Sequence, residues 1–279
     1  MRNEPPQGLD PAIRSYYERA SEENRLESGA FRLEAVRTRE LIQRHLPAAP
    51  ATVLDVGGAA GAYAFWLAEL GYSVHLVDAV PRLVEIARDR NERAVHPLAA
   101  CGVGDARGLA NPNSSADVVL LLGPLYHLID ALDRRIALFE AARVLRPAGL
   151  LFAAGICRFA STLDGLTREL LGDPEFARIV ERDLGDGIHL NETARLDYFT
   201  TAFFHSPEEL RREVTAAGFE IEGLYGIEGP GGILSDLDER WNDPVRREMI
   251  LQVARALESE RSVIGCSAHL LAVGRKVAA

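Results

Sequence analysis

The sequence predicts an α/β fold in which helices cover both faces of a mostly parallel sheet. Short apolar segments alternate with amphipathic segments between residues 52 and 154, and this alternation is typical of right-handed β–α–β units. Residues 118–122 are continuously apolar, which indicates a strand that is buried on both faces. A glycine-rich turn at 57–61 joins the first of these strands to a helix. Ligands in such sheets bind at the carboxyl ends of the strands, so this turn is the first candidate for a site.

The periodicity predicts seven strands in the sheet. We expect them at residues 52–56, 73–77, 98–103, 117–122, 150–154, 219–227 and 268–274. Helices are expected between and after them, at residues 61–70, 81–93, 131–145, 206–217 and 243–259. Gly71 and Gly218 follow two of these helices directly, as glycine commonly does at a helix C-terminus.

Two stretches fall outside this alternation. Residues 11–46 have a helical pattern that Asp10 can cap. Residues 158–205 are too long for a plain connection, whose median is about 4–6 residues, and contain helical fragments at 163–171 and 174–183. Ser206 then begins a capping box. We therefore predict a helical cap segment at 1–50, a ligand-binding domain formed from 51–157 and 206–279, and a substrate cap insertion at 158–205.

Composition excludes several classes of protein. The 279 residues carry a formal net charge of −10, which disfavours nucleic acid because its phosphates would be repelled. Three scattered cysteines predict neither a disulfide framework nor a metal site. The first ten residues lack the apolar stretch of a signal peptide, and no apolar run approaches the about 20 residues that span a bilayer. We expect a cytoplasmic monomer or homodimer with no membrane partner.

The residues with the clearest chemistry follow three successive strands. The segment 53–61, Val-Leu-Asp-Val-Gly-Gly-Ala-Ala-Gly, lets the backbone turn sharply and lets a ligand approach closely. Asp78 closes the second strand, where a carboxylate can accept hydrogen bonds from both hydroxyls of a ribose. Asp105 follows the third strand and can accept from the exocyclic amine of adenine. Together they predict a nucleoside that lies across the carboxyl edge of the sheet.

A nicotinamide dehydrogenase is the competing interpretation of the glycine turn. Its fingerprint spaces glycines as G-x-G-x-x-G. Counting from Gly57 places Ala59 and Ala62 at the glycine positions, and counting from Gly58 places Ala60 and Tyr63 there. Neither register fits, so the sequence favours a nucleoside without a pyrophosphate.

This ordered set resembles the motifs of class I S-adenosylmethionine-dependent methyltransferases, which have a Rossmann-like fold. The resemblance covers residues 52–155 closely and the remainder through topology, since the last strand of that family runs antiparallel beside the fifth. The five motifs are matched in order by residues 55–61, Asp78, Asp105, residues 117–128 and residues 145–150.

Three shorter stretches resemble a bacterial subgroup of small-molecule methyltransferases. They lie at residues 122–128, 158–161 and 203–207. The resemblance implies a small-molecule methyl acceptor, whose reacting atom can be O, N, S or C.

The same resemblance implies S-adenosylmethionine as the cofactor. The expected cofactor-binding residues are Asp55, Gly57, Gly58, Ala59, Gly61, Asp78, Ala79, Asp105, Ala106, Leu122 and Tyr17. Ala59 departs from the family pattern, which has glycine at this position. If residue 59 adopts a positive φ, we expect weaker binding.

The acceptor side is predicted from position alone. Tyr126 and His127 follow the buried fourth strand and so reach its ligand end, where His127 is a candidate base; packing beneath the next helix is the alternative for either residue. His205 follows an aromatic run that begins at Tyr198, which could form either a wall of the acceptor site or a half-buried strand. Arg158 could bind an acceptor carboxylate or form a structural ion pair.

From these positions we predict two catalytic residues, His127 and His205. The predicted substrate-binding residues are Tyr126, His127, Arg158, Tyr198 and His205. Weaker candidates are His189, Asn191, Arg195, Tyr16, Glu228 and Trp241.

Two other functions stay open at this point. The same scaffold could direct intramolecular cyclisation or lysis of S-adenosylmethionine, which would yield methylthioadenosine without any acceptor. A non-catalytic nucleoside-binding module would have a sealed pocket without room for an acceptor.

Overall fold

The computed structural model describes residues 8–19, 25–26, 29, 31–193 and 195–277. Its strands are β1 (Thr52–Val56), β2 (Ser73–Asp78), β3 (Ala100–Val103), β4 (Ala116–Leu121), β5 (Leu145–Cys157), β6 (Ile188–His189), β7 (Ala202–His205), β8 (Phe219–Gly226) and β9 (His269–Lys276). Parts of the predicted cap segment 1–50, namely residues 1–7, 20–24, 27, 28 and 30, lie outside the described residues.

Eleven α-helices are present in the described part of the chain. They are α1 (Pro11–Arg19), α2 (Phe31–His45), α3 (Ala62–Glu69), α4 (Pro81–Glu92), α5 (Pro124–His127), α6 (Ala131–Val144), α7 (Ala160–Thr167), α8 (Pro174–Asp186), α9 (Pro207–Ala216), α10 (Leu237–Asn242) and α11 (Pro244–Leu257). Two predicted caps are confirmed: Asp10 Oδ1 accepts from the Ala12 amide at 2.7 Å, and Ser206 forms a capping box with Glu209.

The central sheet has the predicted mostly parallel arrangement. Strands β3, β2, β1, β4 and β5 lie side by side and run parallel. Strand β9 pairs antiparallel with β5 on one side and with β8 on the other. The antiparallel last strand that the family resemblance implied is therefore confirmed, and the carboxyl ends of β1 to β4 lie along one edge.

The strand count corrects the prediction, because nine strands are present in the described residues rather than seven. The two additional strands, β6 and β7, come from the segment 158–205. They form because β5 continues past the predicted end to Cys157, and its last two residues pair in parallel with β7. The strand was predicted to end at residue 154, but Gly155 lies within β5 and leaves space for the ring of His205, whose Nδ1 would be 3.0 Å from an added Cβ.

Helices cover both faces of the sheet, as predicted. Alternate residues of β4 point to opposite faces, because side chains alternate along a strand. Val119 and Leu121 pack with α6 and α9 in one buried cluster, whereas Val118 and Leu120 pack with α2 and α3 in another. None of the described helices is both long and apolar enough to cross a membrane.

Candidate active site

The glycine turn after β1 is fixed by bonds to the end of β2. The amides of Gly57 and Gly58 both donate to the Val77 carbonyl, at 2.7 and 3.3 Å. A Cβ on Gly57 would lie 2.6 Å from Pro124 Cδ, and one on Gly58 would lie 2.7 Å from Asp55 Oδ2. Glycine is therefore required at these two positions for close packing of the turn.

Ala59 takes a backbone conformation that alanine disfavours. Its φ is 48°, in the left-handed region, where a Cβ costs roughly 1–2 kcal/mol relative to the right-handed region. The condition under which we expected weaker cofactor binding is thus present. Its amide nevertheless donates to Asp78 Oδ2 at 2.8 Å, and this bond holds the turn in place.

Asp78 links the two loops that bound the nucleoside site. One oxygen accepts from the Ala59 amide and the other from the Val80 amide, each at 2.8 Å. Burial raises the pKa of the Asp78 carboxyl, and the two amide bonds oppose that rise. Each oxygen keeps a further lone pair for a ligand hydroxyl.

Asp105 is held by a neighbouring arginine. Its carboxylate accepts from the Arg107 amide at 2.8 Å and from the guanidinium at 2.7 and 3.0 Å. Burial alone would raise the pKa of Asp105, but the hydrogen bonds from Arg107 lower it below its usual value. Asp105 is therefore an ionised acceptor at the edge of the site.

Asp55 lies beneath the turn and is almost fully buried. Among the described residues, its Oδ2 atom has no hydrogen-bond partner. Burial and the nearby Asp78 charge raise the pKa of Asp55 to about 7, although the Ala64 backbone opposes the rise. This carboxyl group is thus poised between its neutral and charged forms near neutral pH.

A cavity of about 380 Å³ lies above these groups, and we call it the cofactor cavity. A smaller cavity of about 100 Å³ adjoins it beside the turn and shares Gly57, Ala59 and Tyr126 with it. The predicted cofactor residues that line one or both are Asp55, Gly57, Gly58, Ala59, Asp78, Ala79, Asp105, Ala106 and Tyr17, with Leu122 in the smaller one. Gly61 lines neither; its φ of 87° begins α3, so the predicted contact is corrected to a positioning role.

A third cavity, of about 420 Å³, lies on the other side of Tyr17 and Tyr126, and we call it the acceptor cavity. Most of its wall is apolar or aromatic. That wall includes Tyr16, Phe31, Tyr126, Ile156, Leu163, Leu196, Tyr198, Phe199, Phe204 and Ile233. Tyr17 and Tyr126 line both large cavities and so form the boundary between them.

His127 lines the cofactor cavity and contacts the first helix. Its Nε2 atom lies 2.6 Å from the Tyr17 hydroxyl. Burial lowers the pKa of His127 to about 4, against a smaller opposing effect of the Thr201 backbone. The imidazole is therefore neutral at pH 7 and is a weak base, which favours a positioning role over the predicted catalytic one.

His205 does not reach any of these cavities. It is fully buried, its Nε2 atom lies 3.2 Å from Glu213, and its ring packs edge-on against Phe203. Burial lowers the pKa of His205, against the opposing effect of Glu213. The predicted catalytic and substrate-binding role is corrected to packing, because the short strand β7 turns this side chain toward α9.

Arg158 also points away from the acceptor cavity. Its guanidinium donates to the Phe204 carbonyl at 2.8 Å and to Glu209 at 2.7 Å. The structural ion pair that the sequence left open is therefore the observed arrangement, and the predicted substrate contact is corrected.

Three of the weaker candidates lie in the cavity wall, one is buried in the core, and two lie on a partly exposed loop. Tyr16, His189 and Glu228 line the acceptor cavity together with Tyr198. Trp241 is buried against α2 and α11. Asn191 bonds to the carbonyls of residues 195 and 199, and Arg195 pairs with Asp173 and Asp197.

Sequence reasoning missed the charged residues at the end of the acceptor cavity. Arg25 and Glu34 lie nine residues apart near the start of the chain, and they meet Glu228 and His269 there through ion pairs. Phe199 lies in the aromatic run that was predicted as a possible wall, but its backbone conformation was not foreseen: its φ of 64° and ψ of −163° lie in a region that is nearly restricted to glycine. No local pattern marks these residues, since only the tertiary fold brings them together.

Comparison with known proteins agrees with this geometry. Residues 54–153 match the family model described as a methyltransferase domain. An uncharacterized methyltransferase of Mycobacterium bovis is 35% identical over 112 residues, which are 40% of this chain and 42% of the relative. The chain therefore spans about two fifths of the length of that relative.

Two further matches extend over more of the chain. The ubiquinone biosynthesis O-methyltransferase of Azorhizobium caulinodans is 29% identical over 181 residues, 63% of this chain and 61% of that protein. The crystal structure of a SAM-dependent methyltransferase from Methanosarcina mazei covers 86% of this chain and 98% of its own, with a TM-score of 0.58 at 19% identity. The predicted resemblance to methyltransferases is thus confirmed for residues 54–153, and the predicted fold is confirmed over most of the chain.

Proposed function

We propose that this chain is an S-adenosylmethionine-dependent methyltransferase that acts on a small molecule. The observation that carries the proposal is the junction of the cofactor cavity with an aromatic acceptor cavity across Tyr17 and Tyr126. The O-methyltransferase relative supports a small-molecule acceptor. We further propose the three parts 1–50, 51–157 with 206–279, and 158–205, and a cytoplasmic monomer or homodimer that binds neither nucleic acid nor membrane.

The residues of the cofactor cavity fit S-adenosylmethionine. Both Asp78 oxygens keep a lone pair for the ribose hydroxyls. Asp105 uses three of its about four acceptor positions on Arg107, so one is left for the adenine amine. The glycine turn and Asp55 line the smaller cavity, where they would hold the methionine part.

When it is bound, S-adenosylmethionine supplies a methyl group on an already activated sulfonium. The contribution of the chain is then proximity, orientation and exclusion of water. Helix α1 covers the cofactor cavity with the fully buried Ile13, and Arg82 binds the Tyr17 carbonyl at 2.9 Å. Neutral His127 orients the Tyr17 hydroxyl at the boundary of the two cavities.

The acceptor cavity also argues against the two alternative functions. Its volume of about 420 Å³ leaves room for an acceptor, whereas a non-catalytic nucleoside module would not need it. A cyclase or lyase that acts on the cofactor alone would likewise leave this cavity without a use.

Product analysis tests the proposal. The protein is incubated with S-adenosylmethionine and a fractionated metabolite extract, and released products are separated by chromatography. We expect S-adenosylhomocysteine to form only when an extract fraction is present. Methylthioadenosine without extract would instead establish the cyclase or lyase, and binding of S-adenosylhomocysteine without turnover of any fraction would favour the non-catalytic module.

A further inference from the structure

Four charged side chains meet where the acceptor cavity adjoins the smaller cofactor-side cavity. Arg25 donates two hydrogen bonds to Glu34, at 2.7 and 3.0 Å. Glu228 accepts from the Ser267 hydroxyl at 2.6 Å and from the His269 amide at 3.0 Å. Both glutamates are buried, at 7% and 2% exposure. We call Arg25, Glu34, Glu228 and His269 the junction cluster.

The two carboxylates of the cluster face one nitrogen of the imidazole ring. His269 Nδ1 lies 2.5 Å from Glu228 Oε1 and 3.8 Å from Glu34 Oε2. Burial alone would lower the pKa of His269, but the charges of Glu34 and Glu228 outweigh it and raise that pKa to about 9. Arg25 opposes this rise. The ring is therefore an imidazolium at neutral pH.

Two other titratable groups face the cluster and are neutral at pH 7. Burial and the charge of Glu34 raise the pKa of the Tyr63 phenol. Burial also raises the pKa of the Cys157 thiol, to about 11, with a contribution from Glu228. The cluster thus holds two cations and two anions, and its hydrogen-bonding state is fixed across the neutral range.

The second nitrogen of the ring is available to a ligand. Nε2 of His269 has no hydrogen-bond partner among the described residues, and the side chain lines both the acceptor cavity and the smaller cavity. An imidazolium carries N–H groups on both nitrogens. With Nδ1 engaged by Glu228, Nε2–H is a charged donor at the point where the two cavities meet.

A metal ion is a poor alternative occupant of this cluster. Glu34, Glu228 and His269 each place one potential ligand atom within 4.8 Å of the others. A divalent ion would have to displace the bidentate guanidinium of Arg25 from Glu34. It would also have to remove the proton from the histidine nitrogen that Glu228 holds.

We propose that His269 Nε2–H is a substrate-binding donor that holds the methyl acceptor as an oxyanion, and that the acceptor is a phenol. This inference rests on the proposed methyltransferase function. The aromatic wall of the acceptor cavity, which includes Tyr126, Phe199 and Phe204, suits a planar ring. A cationic donor repels an ammonium and stabilises a phenolate.

The protonation state of the cluster determines how the acceptor loses its proton. An imidazolium cannot take a proton, so the hydroxyl of the acceptor must ionise to solvent as it binds. The phenolate oxygen then forms the new bond to the methyl carbon of S-adenosylmethionine, while the methyl–sulfur bond breaks and its electron pair stays on sulfur. Phenols ionise far more readily than aliphatic alcohols, which makes them suited to this site without a general base.

Ionisation of a bound phenol tests the proposal without turnover. The protein is saturated with S-adenosylhomocysteine, 4-nitrophenol is added, and its phenolate absorbance is titrated against pH. We expect the pKa of the bound phenol to fall by about one unit, an about tenfold gain in phenolate, because an opposite charge at hydrogen-bond distance favours the ionised form. In His269→Gln, saturated with S-adenosylhomocysteine in the same way, this shift is lost.

His45→Gln is the matched control. His45 is another partly buried histidine that bonds to a tyrosine hydroxyl, Tyr225, at 3.0 Å, and it lines none of the three cavities. It should leave the shift intact. Glu228→Gln provides a second variant. It lowers the fraction of His269 that is charged, so the shift in the pKa of the bound phenol should be smaller.

Several results would overturn the inference while leaving the methyltransferase function in place. These are no binding of 4-nitrophenol to a protein that binds S-adenosylhomocysteine, an unshifted phenol pKa, an equal shift in His269→Gln, or methylation of benzoate in place of phenols. Loss of the shift on dialysis against EDTA would point to a metal ion in the cluster and would also overturn it. Failure to bind S-adenosylhomocysteine at all would instead contradict the proposed function.

Discussion

The cofactor and acceptor cavities adjoin each other but are built in different ways. In the cofactor cavity, each acid is held by groups from its own β–α–β unit: Asp78 by amides of residues 59 and 80, and Asp105 by residue 107. In the acceptor cavity, partners come from distant parts of the chain: Tyr17 bonds to a residue 110 positions away, and His269 to one 41 positions away. Local sequence thus specifies the cofactor region, whereas the assembled fold specifies the acceptor region.

The two regions also have opposite effects on the ionisation of a buried side chain. Burial and a like charge disfavour ionisation of Asp55 beneath the turn. In the junction cluster, two carboxylates favour ionisation of His269. Variants in the cofactor cavity should therefore change cofactor binding, and variants in the acceptor cavity should change acceptor binding. Four predictions follow from this contrast, from the largest effect to the smallest.

Asp78→Ala should abolish cofactor binding. It removes a carboxylate that would accept charge-assisted hydrogen bonds from two ribose hydroxyls, each worth roughly 1.5–3 kcal/mol, so the affinity for S-adenosylhomocysteine should fall by at least about 100-fold. Isothermal titration calorimetry measures this affinity, and circular dichroism checks that the fold is retained.

The matched control for Asp78→Ala is Asp243→Ala. Asp243 likewise accepts from two backbone amides, at 2.8 and 3.2 Å, but at the start of α11 and away from the cavities. It should leave the affinity unchanged. If the wild-type protein and Asp78→Ala bound S-adenosylhomocysteine equally well, the proposal that Asp78 binds the ribose would be wrong.

Asp55→Asn should abolish a pH dependence of stability. The pKa of Asp55 is about 7 in the fold, against about 3.9 in an unfolded chain. The contribution of Asp55 to the free energy of unfolding is therefore fully present below about pH 4. It is lost as the pH rises to about 7, and its magnitude is on the order of 4 kcal/mol. Urea unfolding at several pH values should show this loss in the wild-type protein and a flatter profile in the variant. Parallel profiles would contradict it.

Glu228→Gln should lower the pKa of His269 by about one unit or more, because it removes the nearer of two carboxylates. NMR titration of the histidine ring protons measures this. In the wild-type protein, the raised pKa stabilises the fold below about pH 6.5, and this contribution is lost as the pH rises through about 9. The pKa of His127 serves as the internal control and should stay near 4; a shift of both histidines would indicate a general rearrangement.

Ala59→Gly should stabilise the protein slightly. It relieves a left-handed alanine, with φ 48°, and so should raise the free energy of unfolding by about 1 kcal/mol and tighten cofactor binding by a few-fold. In the acceptor region, Phe199 also has a positive φ, which glycine tolerates better than alanine. Phe199→Gly should therefore be more stable than Phe199→Ala, and neither variant should change the cofactor affinity. Thermal unfolding and calorimetry compare the four proteins, and a destabilised Ala59→Gly would contradict the strain argument.

The sequence predicted the parallel sheet, its covering helices and the edge that carries the acids, because these depend on local periodicity and turn chemistry. Asp78, Asp105 and the glycine turn all line the predicted cavity or pack beneath it. The prediction was wrong where a residue's role depends on tertiary partners. His205 and Arg158 pack against α9, since β5 runs three residues beyond its predicted end at residue 154.

The acceptor region could not be predicted in the same way. Glu228 was a candidate because it lies in the insertion between the last two predicted strands. Glu34, which is buried on α2, and His269, which is partly buried on β9, have no local signal. These side chains meet only because α2, β9 and the segment after β8 come together in the fold. Long-range contacts of this kind have no signature in a single sequence.

The most direct test of the central claim is a crystal structure with bound S-adenosylhomocysteine. We predict the ribose hydroxyls on Asp78, the adenine amine beside Asp105, and the sulfur facing the acceptor cavity between Tyr17 and Tyr126. Ribose and adenine bound away from both acids, or a sulfur atom that faces away from the aromatic cavity, would contradict the account.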